Sequence, residues 1–114
     1  MPDTYAQISA NLLNEAAGFL IKLGDQNEAT KPQMNENAAV FGKVAELIGT
    51  QPEGKVDDMP HSEMAARLLG DAATFFRSIA DGNPPIADQM NHNASVYDDL
   101  AVLVRENPLG VPQE

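Results

Sequence analysis

The apolar positions of the chain form four stripes with the spacing of an α-helix. Members of each stripe recur at steps of three and four residues, which places them on one helical face. The first stripe contains Ile8, Leu12, Ala16, Phe19, Leu20 and Leu23, and the second contains Met34, Ala38, Phe41, Val44 or Ala45, and Ile48. The third contains Met64, Leu68, Ala72, Phe75, Phe76 and Ile79, and the fourth contains Met90, Ala94, Tyr97, Leu100 or Ala101, and Val104. The pattern predicts four helices.

Short polar segments separate the stripes. Thr4 and Gln7 form the Thr-x-x-Gln pattern of a helix capping box, and Thr30 and Gln33 repeat this pattern before the second stripe. The segment 49–57 is the longest connection between two stripes. Because the other turns are short, we expect the two helices on either side of each to run antiparallel.

The second half of the chain repeats the first at an offset of 56 residues. Residues 4–54 align with 60–110 without a gap, and about a third of the 51 pairs are identical. The run Gln33-Met34-Asn35, for example, recurs as Gln89-Met90-Asn91. The match predicts an internal duplication in which each copy is one helical hairpin.

One hairpin cannot bury its apolar stripes alone, whereas two hairpins packed face to face can. We therefore predict an all-α fold. The expected architecture is a four-helix up-down-up-down bundle of two tandem hairpins, related by a pseudo-twofold axis within a single domain spanning residues 1–114. A tetratricopeptide-like array is the alternative, but two repeats are few for a solenoid and the repeat length fits no such class.

Composition and charge narrow the possible partners. The net charge of −10 and the pI near 4.4 argue against nucleic acid and anionic membrane surfaces, which attract Lys and Arg. The chain has no cysteine, which excludes thiol chemistry. It also shows no signal-peptide pattern and no apolar run of the roughly 20 residues that a membrane span needs. These features predict a cytoplasmic protein that binds neither membrane nor nucleic acid.

Four amide side chains lie on or beside the predicted apolar faces. Asn37 falls between Met34 and Phe41 of the second stripe, and Gln33 lies one turn earlier. Asn93 and Gln89 occupy the same positions in the second copy. A buried amide costs free energy unless it is hydrogen-bonded. Asn37 and Asn93 could pair across the axis and fix the helix register. The alternative is a pocket in which the four amides bind a small polar ligand.

Other candidate chemistry is weaker. Asp88 and His92 share a helical face, but the pair is not repeated in the first copy, and His61 stands alone. We expect no metal site and no cofactor. Glu15 and Asp71 are equivalent acids at the flanks of their stripes, where solvation or pairing with a basic residue is favoured over a close carboxylate pair.

The sequence contains no recognisable catalytic motif, so it favours a protein that is not an enzyme. The predicted function is a small acidic helical bundle that serves as an interaction or structural module. Its expected partner is another protein or a second copy, most simply in a homodimer. The alternative is a small-ligand-binding bundle that uses the cluster Gln33, Asn37, Gln89 and Asn93 between the second and fourth helices.

Overall fold

The computed structural model describes residues 3–111 and consists mainly of four long helices. The helices are α1 (Tyr5–Gln26), α2 (Lys31–Thr50), α3 (His61–Gly82) and α4 (Ala87–Glu106). A pair of two-residue strands, β1 (Lys55–Val56) and β2 (Met59–Pro60), connects α2 to α3, and a 3-10 turn (Pro84–Ile86) precedes α4. The prediction of an all-α fold with four helices is confirmed. None of these described helices has the apolar length that crossing a membrane requires.

The helix boundaries of the two halves coincide at the 56-residue offset. The helices α3 and α4 begin and end 56 residues after α1 and α2, respectively. The first residue of α1 donates its backbone N–H to Gly110 O at 2.8 Å, and the first residue of α3 donates to Gly54 O at 2.8 Å. Each of these glycines follows the last helix of a repeat, so equivalent backbone bonds fasten both helix starts.

The two predicted capping boxes have different outcomes. Thr4 and Gln7 form the full box, because the Thr4 hydroxyl accepts from Gln7 N at 3.2 Å and Gln7 Oε1 accepts from Thr4 N at 3.0 Å. The prediction for Thr30 is wrong. Its hydroxyl instead donates to the carbonyl of Asn27 at 3.2 Å, and its backbone already has near-helical angles (φ −102°, ψ −6°). A capping side chain requires the extended conformation that Thr4 has.

The most extensive helix packing joins consecutive helices. The first hairpin, α1 with α2, and the second hairpin, α3 with α4, are each packed along their length. Between the hairpins, α1 contacts α3 and α4, and α2 contacts α3. No comparable contact joins α2 to α4 in the described chain. The helices α1 and α3 therefore lie at the centre, with α2 and α4 on opposite sides.

The core repeats at the same offset as the helices. Twelve residues of the first repeat are buried, and so is the residue 56 positions after each of them: Ala6, Ser9, Leu13, Ala16, Ala17, Leu20, Gly24, Ala38, Phe41, Val44, Ala45 and Ile48. The buried face of α1 differs from the predicted stripe, because Ile8, Leu12 and Phe19 are only half-buried. Small side chains allow the helices of one hairpin to approach closely. Phe19 packs instead against Phe75 and Phe76 of the other hairpin.

Candidate functional site: two clefts between the hairpins

A cluster of aromatic rings marks the centre of the contact between the hairpins. Phe19 of α1 and Phe75 of α3 occupy equivalent repeat positions, and their ring centroids lie 6.2 Å apart with the rings at 73°. Phe76 lies 5.6 Å from Phe19 and 5.1 Å from Tyr97 of α4. The Phe19–Phe75 and Phe76–Tyr97 pairs are edge-to-face, an arrangement that stabilises a contact beyond the area it buries. Phe19 and Phe76 also form part of the walls of two clefts.

The first cleft lies between α1, α2 and α3 and has a volume of about 270 Å³. Its lining residues are Ala16, Phe19, Leu20, Met34, Asn37, Val40, Phe41, Leu68, Asp71, Ala72, Phe75 and Phe76. Asn37 from α2 and Asp71 from α3 are the two polar residues of this lining. The cleft is thus an apolar cavity with one amide and one carboxylate, contributed by different hairpins.

The second cleft lies between α1, α3 and α4 and has a volume of about 370 Å³. It is lined by Leu12, Glu15, Phe19, Phe76, Gln89, Met90, His92, Asn93, Val96 and Tyr97. Eight of these ten positions have an equivalent, 56 residues away, in the lining of the first cleft. The exceptions are Gln89 and His92, which make the second cleft more polar than the first.

The four amides that the sequence singled out are distributed over the two clefts. Asn37 is half-buried in the first cleft, whereas Asn93 is half-buried in the second and Gln89 is exposed at its edge. Gln33 is exposed and lines neither cleft. Since α2 and α4 lie on opposite sides, Asn37 and Asn93 face different cavities. No hydrogen bond within residues 3–111 joins any two of these four side chains.

The two acids considered as a possible pair also occupy different clefts. Asp71 lines the first cleft with Asn37, and Glu15 lines the second cleft with Asn93. Each cleft therefore combines an amide from the outer helix of one hairpin with a carboxylate from the central helix of the other. Reasoning from the sequence missed this combination. The available signal was that Glu15 and Asp71 are equivalent positions on the same flank of α1 and α3.

Tyr97 closes one side of the second cleft and is held by its hydroxyl. The hydroxyl donates to the backbone carbonyl of Leu12 on α1 at 2.9 Å. Burial, and secondarily the negative charge of Glu15, raises the pKa of Tyr97 to about 12. The side chain thus stays protonated across the physiological range, and its hydroxyl bond joins α4 to α1. Phe41 at the equivalent position of the first cleft has no hydroxyl.

The two histidines have different surroundings. His61 is buried at the start of α3, where its Nδ1 lies 2.8 Å from the carbonyl oxygen of Gln51. A Cβ atom on Gly54 would approach the His61 ring to 2.8 Å, so a glycine is required beside it. His92 is exposed in the second cleft. Among residues 3–111, no three His, Asp or Glu side chains are grouped so that they could hold a metal ion.

Comparisons of the chain with protein-family models, curated proteins and solved structures find no match. The two clefts are therefore the features on which a functional proposal can rest.

Proposed function

We propose that this protein is a small-ligand-binding helical bundle without catalytic activity of its own, and that its ligands occupy the clefts between the two hairpins. The observation that supports the proposal most directly is the first cleft, with its apolar walls and only two polar lining residues, Asn37 and Asp71. Ligand sites in proteins are typically apolar cavities in which a few polar groups fix the orientation of the ligand.

The chemistry of the clefts favours binding over catalysis. Neither lining includes a Ser, Thr or Lys side chain that could act as a nucleophile. The Tyr97 hydroxyl is committed to the Leu12 carbonyl, and its raised pKa makes it a poor acid near neutral pH. Carboxylates and amides in an apolar cavity are well suited to positioning a polar group of a ligand.

We further infer that the chain arose by internal duplication and that its helices form an up-down-up-down bundle with a pseudo-twofold axis. The inference is supported by the coincident helix boundaries, the equivalent buried positions and the paired glycine bonds at Gly54 and Gly110. It also accounts for two similar clefts in one chain, because an axis between Phe19 and Phe75 relates one cleft to the other.

The test uses two matched variants, each of which places a larger side chain at one of the clefts. Val40 at the first cleft is 48% exposed and Val96 at the second is 41% exposed, so a larger side chain at either position need not disturb the core. Wild type, Val40→Trp, Val96→Trp and the double variant are titrated by NMR with fragments of about ten non-hydrogen atoms, a size the cavity volume allows. Circular dichroism verifies that each variant is folded.

We expect at least one fragment to bind wild type and to lose most of its affinity in a single-cleft variant. The other single variant then serves as the control, because it alters an equivalent valine at the other cleft. The proposal is contradicted if no fragment perturbs residues lining either cleft, or if binding persists unchanged in the double variant.

The second candidate function is the interaction module that the sequence alone favours, in which the protein associates with a second copy as a homodimer. It is supported by the apolar side chains that α4 leaves uncovered: Val96, Val102 and Leu103 are 41%, 51% and 39% exposed. Val96 and Leu103 border a groove shared with Ile8 and Leu12 of α1. A second copy could cover this groove and bury apolar area.

Light scattering after size-exclusion chromatography tests self-association. A homodimer predicts twice the chain mass of 12.2 kDa, and the charged variant Leu103→Lys should then shift the protein to the monomer. A wild-type monomer at all accessible concentrations would remove this candidate while leaving ligand binding in the clefts unaffected.

A further inference from the structure

We propose that the first cleft selects a small primary amine carried on an apolar body, with the Asp71 carboxylate as the counter-charge for the ammonium group. The inference rests on the proposed ligand-binding function and names its ligand class. It follows from the polar groups that line the cleft, the shape of its apolar wall and the difference between the two clefts.

The polar groups of the first cleft offer an excess of hydrogen-bond acceptors and a negative charge. Asp71 contributes a carboxylate, Asn37 contributes an amide with one acceptor oxygen and one NH2 donor group, and the lining contains no Lys, Arg or His. The ion pairs of the described chain are Lys31–Asp25, Arg77–Asp98 and Arg105–Glu63, so Asp71 is in none of them. An ammonium group donates three hydrogen bonds and is complementary to this pair.

The aromatic wall favours a ligand with a flat apolar body. Phe19, Phe75 and Phe76 lie with centroid separations between 5.6 and 6.5 Å and are joined in the lining by Phe41. Phenylalanine rings pack well against another ring, and their faces also attract a cation held nearby. The aromatic wall therefore favours a positively charged ligand, as the Asp71 carboxylate does.

The volume limits the size of the ligand. A cavity of about 150 Å³ holds a benzene molecule. The first cleft, at about 270 Å³, accommodates an aromatic ring with a short chain ending in the amine. An arylalkylamine such as 2-phenylethylamine matches these dimensions and places its nitrogen at the carboxylate edge while the ring occupies the phenylalanine wall.

The second cleft lacks this selectivity. Glu15 provides an acid at the position equivalent to Asp71, but Gln89 and His92 add an amide and an imidazole that have no counterpart in the first cleft. Several polar donors and acceptors at one edge favour ligands with more than one polar group. The preference for a simple amine is therefore assigned to the first cleft alone.

The experiment compares three probes with the same aromatic body and different head groups. They are 2-phenylethylamine, 2-phenylethanol and 3-phenylpropionate, titrated by NMR into wild type, Asp71→Asn and the control Glu15→Gln. Both acids are exposed, so these substitutions leave the fold intact. The amine should bind wild type about three- to tenfold more tightly than the alcohol, as a partly solvated ion pair with an aromatic contribution allows. The anion should bind most weakly.

The amine preference should disappear in Asp71→Asn and persist in Glu15→Gln. Equal binding of amine and alcohol to wild type, or a preference that survives in Asp71→Asn, would overturn the proposed ligand class and leave ligand binding itself standing. Binding of none of the three probes would overturn the ligand class as well, and the fragment titration of the Val40 and Val96 variants then decides separately whether the clefts bind ligands.

Discussion

The two hairpins have the same buried positions and different means of holding their helices together. In the second hairpin, Arg77 contacts Asp98 and Arg105 contacts Glu63, each at 2.6 Å. The equivalent positions of the first hairpin are Ile21 with Gly42, and Gly49 with Gln7. The two halves thus share the core that packs the helices, whereas their surface pairs and cleft polarity differ. The same pattern of buried positions therefore supports two clefts with different polar linings.

The largest expected effect tests whether the two cores are equivalent. Leu13 and Leu69 occupy equivalent positions and are both 0% exposed. Leu13→Ala and Leu69→Ala should each lower the free energy of unfolding by about 2–5 kcal/mol, because each removes buried methyl groups and leaves a cavity. Urea denaturation measures both. If one variant is strongly destabilised and the other is unaffected, the two halves are not structurally equivalent.

An intermediate effect is expected at the hydroxyl that only one half has. Tyr97→Phe removes the bond to the Leu12 carbonyl and should cost about 0.5–1.5 kcal/mol in chemical denaturation. The reverse change, Phe41→Tyr, adds a hydroxyl at the equivalent position and is the matched control. A Tyr97→Phe variant that is as stable as wild type would show that the Leu12 bond contributes no net stability.

The same tyrosine predicts a pH dependence. Its pKa is raised to about 12 in the folded protein from a usual value of 10.0, so the folded state favours the protonated form. The stability that this preference contributes is complete below pH 10 and declines as the pH rises towards 12. Tyr97→Phe should therefore flatten the decline in unfolding free energy over this range. An identical decline in wild type and variant would show that Tyr97 is not its source.

The smallest effect is expected from the ion pairs of the second hairpin. Their side chains are 31–50% exposed, and pairs of this kind contribute about 0.2–1 kcal/mol. Arg105→Ala should lower stability within this range, and the loss should diminish in high salt because screening weakens the wild-type pair. A loss that is the same at low and high salt would assign the effect of Arg105 to packing of its aliphatic chain.

The sequence predicted the features that arise locally. Helix periodicity and the 56-residue repeat are visible in the order of residues, so four helices could be predicted from them. The buried face of α1 was harder to predict from the sequence, because the prediction gave weight to large residues such as Ile8 and Phe19. The structure buries small residues such as Ser9 and Ala17 and leaves Ile8 and Phe19 only half-buried.

The arrangement of the candidate site depends on tertiary contacts that the pattern does not encode. Asn37 and Asn93 were expected to meet, or to share one pocket, because both lie on an apolar face. Whether the two asparagines meet depends on which pair of helices lies at the centre of the fold. With α1 and α3 in contact at Phe19 and Phe75, each asparagine faces a separate cavity and an acid of the other hairpin.

Methyl-labelled methionines provide the most direct test of amine binding in the first cleft. Met34 lines the first cleft and Met90 the second, whereas Met59 and Met64 border a surface pocket near the connection between α2 and α3. On titration with 2-phenylethylamine, we predict a saturable change in the methyl resonance of Met34, a smaller change at Met90 and no change at Met59 or Met64. A stationary Met34 resonance, or equal movement of all four, would contradict amine binding in the first cleft.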